Sequence, residues 1–444
     1  MSFLKLASAI ALVFALSASS QQPAPQATQP QAPTASPSVT LIPRSHEERE
    51  ARYQTQHHVI LNVFVTDASG KPVRSLKQED FTLLDNGEPR TLTSFRSARG
   101  SEGIAPVRVV LMLDAVNNSP KGITQDVKGI EQYLKQSQSS LTYPTSIALL
   151  SGSGATVGQP SKDRDALISE MSALTKNVRP FNCTDTGGGS QQVFAAPNLR
   201  TGATIHDDAP EGEKPGCLNQ RFKQSVAALS KFAVGQEDTL GRVLLIWIGR
   251  GWPLLLEREF STDSGPIQQN HFDNLVLIST ALREAQVTLD AVFSPDLGRK
   301  VERLSDHDNA FFNGVPTEDQ VRTSSLGLQV LAHQSGGLIL TESKDLSSEI
   351  AQCVADAESY YVLSFDTPAA SGPGEFHSLQ VNANQPGLKI RTNTAYYAQL
   401  RRWRSPSFHE SGQSLRWPRR PSRGPIRDAK RLHRPADRRG CAAQ

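Results

Sequence analysis

Cysteine is scarce and poorly spaced for metal. Cys183, Cys217, Cys353 and Cys441 are the four cysteines of a 444-residue chain, and no CxxC pair occurs among them. That pattern supports no zinc site. HExxH and GxSxG are also missing, which removes the usual zinc-hydrolase and serine-hydrolase signatures. The run Thr186-Gly187-Gly188-Gly189-Ser190 lacks the Lys-Ser/Thr ending and following helix of a phosphate-binding loop, so it reads as a surface loop. Apolar residues make up only 37% of the chain, against 31 Gly and 28 Pro. Part of the chain therefore stays outside any core.

The ends account for most of that deficit. In residues 1–20 a single lysine, Lys5, precedes the apolar run Leu6–Leu16 and a stretch of small residues, the pattern of a secretory leader. The run is too short for a comfortable bilayer span, so no transmembrane segment is expected after cleavage. Residues 21–56 begin as an uncharged Pro/Gln/Ala tract, a linker that cannot offset its own ordering entropy. Residues 399–444 form a basic tail: from Arg401 onward twelve Arg and one Lys face three acids, a net of +10 in a chain whose total is +3. Such a tail has the charge to meet nucleic acid or anionic lipid. Lacking any helical or strand period, it reads more simply as a disordered extension, and nucleic acid is not expected as a partner. In an oxidising compartment Cys183 and Cys217 are the natural disulfide pair. Closing their 34-residue separation would stabilise by about 3–4 kcal/mol. Cys353 falls in a helical pattern and is expected buried and free.

Between the ends lies a patterned body. Residues 57–100 form a first β segment: Val59, Leu61, Val63 and Val65 alternate as a half-buried strand, and Asp85-Asn86-Gly87 predicts a hairpin joining Phe81–Leu84 to Thr91–Phe95. Residues 105–357 then alternate buried strands (107–115, 145–151, 241–249, 287–293, 337–340) with amphipathic helices (122–138, 163–174, 218–233, 268–285, 320–333, 345–357). This rhythm predicts an α/β domain with a doubly wound, mostly parallel sheet, interrupted by a loop insertion at 180–217. Residues 358–398 return to β through 359–367, 377–383 and 388–397. The two β segments either pair into one β-sandwich-like module with the α/β domain inserted in it, or form separate units.

The stretches VTDASGKPVRSLKQEDFTLLDNGEPRTLTSF, VRVVLMLDAVNN, RVLLIWIGRGWPLL, YYVLSF and RTNTAYYA follow one another over residues 57–398. In that order and spacing they resemble the von Willebrand factor A (VWFA)-related proteins of Acidobacteria and similar soil bacteria. The resemblance implies a Rossmann-like domain, export, and a binding or structural role. It also implies a metal-ion-dependent adhesion site: Asp-x-Ser-x-Ser after the first strand, a Thr from a second loop and an Asp from a third, whose oxygens hold a hard divalent cation. Asp114 matches the first position, but Val116 and Asn118 stand where serines belong, and Gly249-Arg250-Gly251 replaces the third-loop Asp. Thr186 and Thr201 are second-loop candidates without a firm alignment. The site is therefore expected to be degenerate, with no Mg²⁺ or other cofactor.

Two readings of Asp114 follow. Either Arg250 fills the vacant cation position as its ion-pair partner, or the carboxylate caps the next helix or bonds the loop through Asn117 and Asn118. Trp252 is a candidate exposed anchor beside the third loop, a core tryptophan being the plainer reading. Asp306-His307-Asp308 reads as a solvated loop, and His271 and His333 as helical histidines with structural roles. The binding set is thus Asp114, Asn117, Asn118, Arg250 and Trp252. The expected function is non-catalytic protein–protein interaction at the carboxyl face of the sheet, in an exported protein of the periplasm, cell envelope or exterior. A structural envelope component and an unrecognised hydrolase are the alternatives.

Overall fold

The computed structural model describes residues 58–99, 106–136, 140–179, 181, 215–236, 241–252, 265–293, 310–321, 326–341, 345–357, 359–372 and 374–398. The expected leader, linker and basic tail lie outside the described residues, as do Cys183, Thr186, Thr201 and Asp306–Asp308.

The central sheet is mostly parallel. Strands β5 (Val107–Asp114), β6 (Ser140–Ser151), β9 (Arg242–Gly249), β10 (Val287–Phe293) and β11 (Ile339–Leu340) lie in the order β11-β10-β9-β5-β6, and an antiparallel strand β7 (Gly154–Val157) closes the edge. A short β8 (Ser161–Asp163) also pairs with β6. Strands β5, β9 and β10 are buried at every position, as their unbroken apolar runs require of a sheet covered on both faces. Helices α1 (Pro120–Gln136), α2 (Arg164–Thr175) and α6 (Leu346–Ala355) pack one face through Ile130, Met171 and Ile350. Helices α3 (Pro215–Gln236), α4 (Gly265–Glu284) and α5 (Leu328–Gln334) pack the other through Phe222, Leu275 and Leu331. Two starts are capped by carboxylates: Asp163 accepts from Asp165 N and Ala166 N, and Asp345 accepts from Ser347 N.

Two four-stranded antiparallel sheets flank this core. One runs β14 (Lys389–Arg391), β1 (His58–Thr66), β12 (Ser359–Asp366), β4 (Leu92–Arg99); the other runs β15 (Ala395–Ala398), β13 (Glu375–Ala383), β2 (Phe81–Asp85), β3 (Glu88–Arg90). Both mix strands from the two ends of the body. Leu61, Val63, Leu83, Tyr361, Phe365 and Val381 form a core between them.

Four local expectations are corrected. The Asp85-Asn86-Gly87 turn joins β2 to β3, with Asp85 opposite Glu88, whereas β4 crosses to the other sheet and pairs β12. The segment 388–397 is two strands: β14 pairs β1 and β15 pairs β13, so the chain changes sheets at Thr392–Thr394. The helix expected over 320–333 begins at Leu328, after Gly327 at its cap position. Strand β1 is more than half-buried, because Phe64, on the opposite face from Val63 and Val65, packs against the α/β unit.

Candidate functional site

In the parallel sheet the chain runs from β5 to β6 on one side and reaches β9 on the other. The carboxyl end of β5 is therefore the topological switch point, where ligands of open α/β sheets gather. Asp114 is the last residue of β5 and is wholly buried. Each of its oxygens takes two donors. Oδ1 accepts the backbone N–H groups of Val116 and Asn117, both at 3.0 Å. Oδ2 accepts Nδ2 of Asn117 at 2.7 Å and the indole N–H of Trp247 at 3.0 Å. Burial pushes the Asp114 carboxyl above its ordinary pKa, and the bonds from Asn117, Trp247 and Val116 oppose that shift.

The loop after β5 is tied down along its length. Ala115 N donates to Leu150 O of β6 at 2.9 Å. Nδ2 of Asn117 also donates to Oγ of Ser225 on α3 at 2.8 Å, and the Arg221 guanidinium of the same helix bonds the Val116 carbonyl. Asn118 turns the other way: its Nδ2 donates to Asp126 of α1 at 2.5 Å, and its Oδ1 accepts Ser119 N at 2.9 Å. Ser119 then caps α1 by accepting Gly122 N at 3.1 Å, with Pro120 in the first helical position. Gly122 is needed for this arrangement, since a β-carbon there would lie 1.9 Å from Asn118 Oδ1.

Of the residues selected from sequence, the structure joins Asp114 and Asn117 directly. Asn118 is buried beside them but bonds Asp126 instead. Of the two readings of Asp114, the loop bond through Asn117 is the one found, and the Asp114–Arg250 ion pair is corrected: the carboxylate's partners are Val116, Asn117 and Trp247, and Arg250 is not among them. Trp252 is 7% exposed, its ring 5.2 Å from Trp247 and 6.4 Å from Phe222, both edge-on. It belongs to the core, the plainer of the two readings, and its candidacy as an exposed anchor does not hold for its ring.

No family profile and no curated protein sequence matches the chain. Among solved structures it is similar to an aerotolerance-related membrane protein from Bacteroides fragilis, at 11% identity over 57% of this chain and 98% of that one, with a TM-score of 0.27. The manganese-loaded TRAP protein of Plasmodium vivax aligns at 10% identity over 70% and 97%, with a TM-score of 0.28. Three N-terminal domains of the type V pili tip protein Mfa5 from Porphyromonas gingivalis align at 8% identity over 76% and 68%, with a TM-score of 0.26. Superpositions this loose carry no argument about this chain's function.

Sequence reasoning missed Trp247, Ser225 and Arg221 as partners of the loop. For Trp247 a signal existed. Val110 and Met112 of β5 share a core with Val243, Leu245 and Trp247 of β9, so the alternation already sets Asp114 and Trp247 on one face. Ser225 and Arg221 reach the loop from a helix more than a hundred residues away, and no local pattern marks them.

Beside the loop, between the β6–β7 turn, the end of α2 and α3, lies a cleft of about 860 Å³. Ser151, Ser153, Asn177, Arg179, Phe181 and Lys223 are among its walls, and among the described residues no carboxylate lines it. Arg221 connects it to the Asp114 loop, since its guanidinium sits 5.6 Å from the Phe181 ring while bonding Val116 O. Among the described residues no three His, Cys, Asp or Glu side chains gather as a metal cluster, and no helix is long and apolar enough to cross a membrane.

Proposed function

We propose that this chain is an exported, non-catalytic binding module of the VWFA type, engaging a protein partner through the loops at the carboxyl end of its parallel sheet without a metal ion. The observation that carries this reading is the saturation of Asp114: four donors occupy its two oxygens. A hard divalent cation wants about six oxygens in open array. Here Val116 offers no side-chain oxygen, Asn118 is spent on Ser119 and Asp126, and the third loop presents Arg250. These residues do not fit the cation, and the Trp247 and Asn117 donors supply the compensation that a buried carboxylate needs.

The loop is thus a rigid platform rather than a chelating site. What faces solvent beside it is the cleft with Arg179, Lys223, Asn177 and Ser153, which suits a polar or acidic protein surface. Export rests on the leader pattern of residues 1–20.

The test is thermal unfolding of the full chain in millimolar Mg²⁺ or Mn²⁺ against EDTA. A ligand of the folded state alone raises the midpoint by mass action. The expected result is the same midpoint in both. A rise with the ion would overturn the metal-free reading.

A further inference from the structure

Toward the amino end of the parallel strands, away from the Asp114 end, an ionic cluster lies where the sandwich meets the α/β unit. Arg242, the first residue of β9, is buried with its guanidinium 4.7 Å from the ring of Phe64 in β1 and 4.6 Å from Tyr360 in β12. It donates to Asp356 O at 3.3 Å and to Thr288 Oγ1 of β10 at 3.4 Å. Arg391 of β14 lies 4.7 Å from the same Phe64 ring, donates to Asp356 Oδ2 at 2.7 Å and reaches Gly336 O at 2.8 Å. Side chains from both halves of the molecule therefore converge on one seam.

Asp290 of β10 is the weak point of that seam. It is wholly buried, and Oδ1 accepts Leu338 N at 2.7 Å while the Cys353 thiol of α6 donates to the same carboxyl group. Its Oδ2 has no hydrogen-bond partner among the described residues. The two cations that act on it are engaged elsewhere: Arg391 donates to Asp356 Oδ2 and Gly336 O, and Arg242 to Asp356 O and Thr288 Oγ1. An ionised Asp290 thus leaves a charged oxygen unsatisfied in a dry interior, whereas a neutral one does not.

We propose that Asp290 is a proton-controlled latch: neutral, it lets the β1–β12–β14 sheet seat on the α/β unit, and ionised, it loosens the seam around β10–β11 and β14. The charged and titratable groups acting on it are Asp356 and Cys353 at the end of α6, Arg242 of β9 and Arg391 of β14. Behind these, Tyr360 of β12 lines up on Arg242, with Arg96 of β4 on Tyr360, His333 of α5 on Arg391 and Tyr133 of α1 on Cys353. Burial, and then the charge of Asp356, push the Asp290 carboxyl up to about 7, while Arg391 and the Leu338 and Cys353 bonds oppose the rise. A carboxyl raised on closure binds its proton more tightly in the closed seam than in the open one. Closure is then fully favoured below the ordinary carboxylate range and is lost as pH rises through about 7.

The experiment is amide hydrogen exchange on the full chain at pH 5.5 and 8.5, corrected for intrinsic exchange, in the wild type and in Asp290→Asn. In the wild type, peptides covering 336–341 and 389–393 are expected to exchange at least about ten-fold faster at the higher pH, while β5 and β9 stay protected. In Asp290→Asn the two pH values agree. Equal seam protection in the wild type at both pH values, or an unchanged pH response in the variant, would overturn the proposal. Should the variant fail to fold, carboxyl ¹³C titration of the wild type decides: an Asp290 midpoint in the ordinary carboxylate range sinks the latch, and one near neutrality supports it.

Discussion

The indole N–H of Trp247 points at Oδ2 of Asp114 from 3.0 Å, with both side chains fully buried. The two residues lie 133 positions apart on adjacent strands, and this bond supplies one of the two donors to Oδ2. Trp247→Phe keeps an apolar ring in the core but leaves Oδ2 with Asn117 alone. Losing one partner of a buried charged group, together with the smaller ring, is expected to lower stability by about 1–3 kcal/mol in urea denaturation. A neutral result would mean that the loop holds Asp114 without the indole.

Gly122 reverses an ordinary rule. In an exposed helix interior, Gly→Ala stabilises by about 1 kcal/mol. Here the new methyl group would lie 1.9 Å from Asn118 Oδ1 and break the contacts of Asn118 with Ser119 and Asp126. Gly122→Ala is therefore expected to destabilise by about 1–3 kcal/mol, read as a lower denaturation midpoint. A stabilised variant would show that the Asn118 side chain is free to move.

Tyr361 anchors the sandwich through its hydroxyl, which donates to Val73 O at 2.8 Å and accepts Leu76 N at 3.1 Å. Tyr361→Phe leaves the ring stacked with Phe95 and edge-on to Phe81 but orphans the buried Leu76 amide. The expected loss is about 1–3 kcal/mol, with faster exchange confined to residues 72–76. Unchanged exchange there would remove the hydroxyl's role.

Two buried groups give opposite pH limbs. Burial, aided by Lys223, holds His271 down at about 4. Its unfolded form therefore binds protons first, and stability falls as pH drops from the ordinary histidine range toward 4. Asp290 acts in the other direction, removing stability as pH rises toward about 7. His271→Phe should flatten the acid limb and Asp290→Asn the neutral limb of an unfolding-versus-pH curve. A variant that flattens the wrong limb would refute its assignment.

Cysteine chemistry gives a separate check. Non-reducing peptide mapping of protein recovered from an oxidising compartment is expected to link Cys183 to Cys217. Cys353 is wholly buried, with its thiol pushed well above the usual range by burial and by Asp290. It should resist alkylation until the protein unfolds. Alkylation of both Cys183 and Cys217 without reductant would exclude the bridge.

The sequence by itself determined the alternation of strands and helices, because an unbroken apolar run such as Val107–Leu113 suits only a strand covered on both faces. It also determined the tight turn at Asn86-Gly87, where positive φ values of 52° and 82° call for these residue types. Asp114 was identifiable in the same way, as a charge ending a buried strand. Tertiary structure alone decided what that charge bonds, which sheet each β segment joins, and which face of Phe64 is covered. Partner choice depends on distance in space, and local period carries no record of it: Trp247, Ser225, Asp290 and Arg391 find their partners only after the chain has folded back. The break at Thr392–Thr394 belongs to the same class, since two sheets compete for one stretch of strand-forming residues and only the packed sandwich divides it between them.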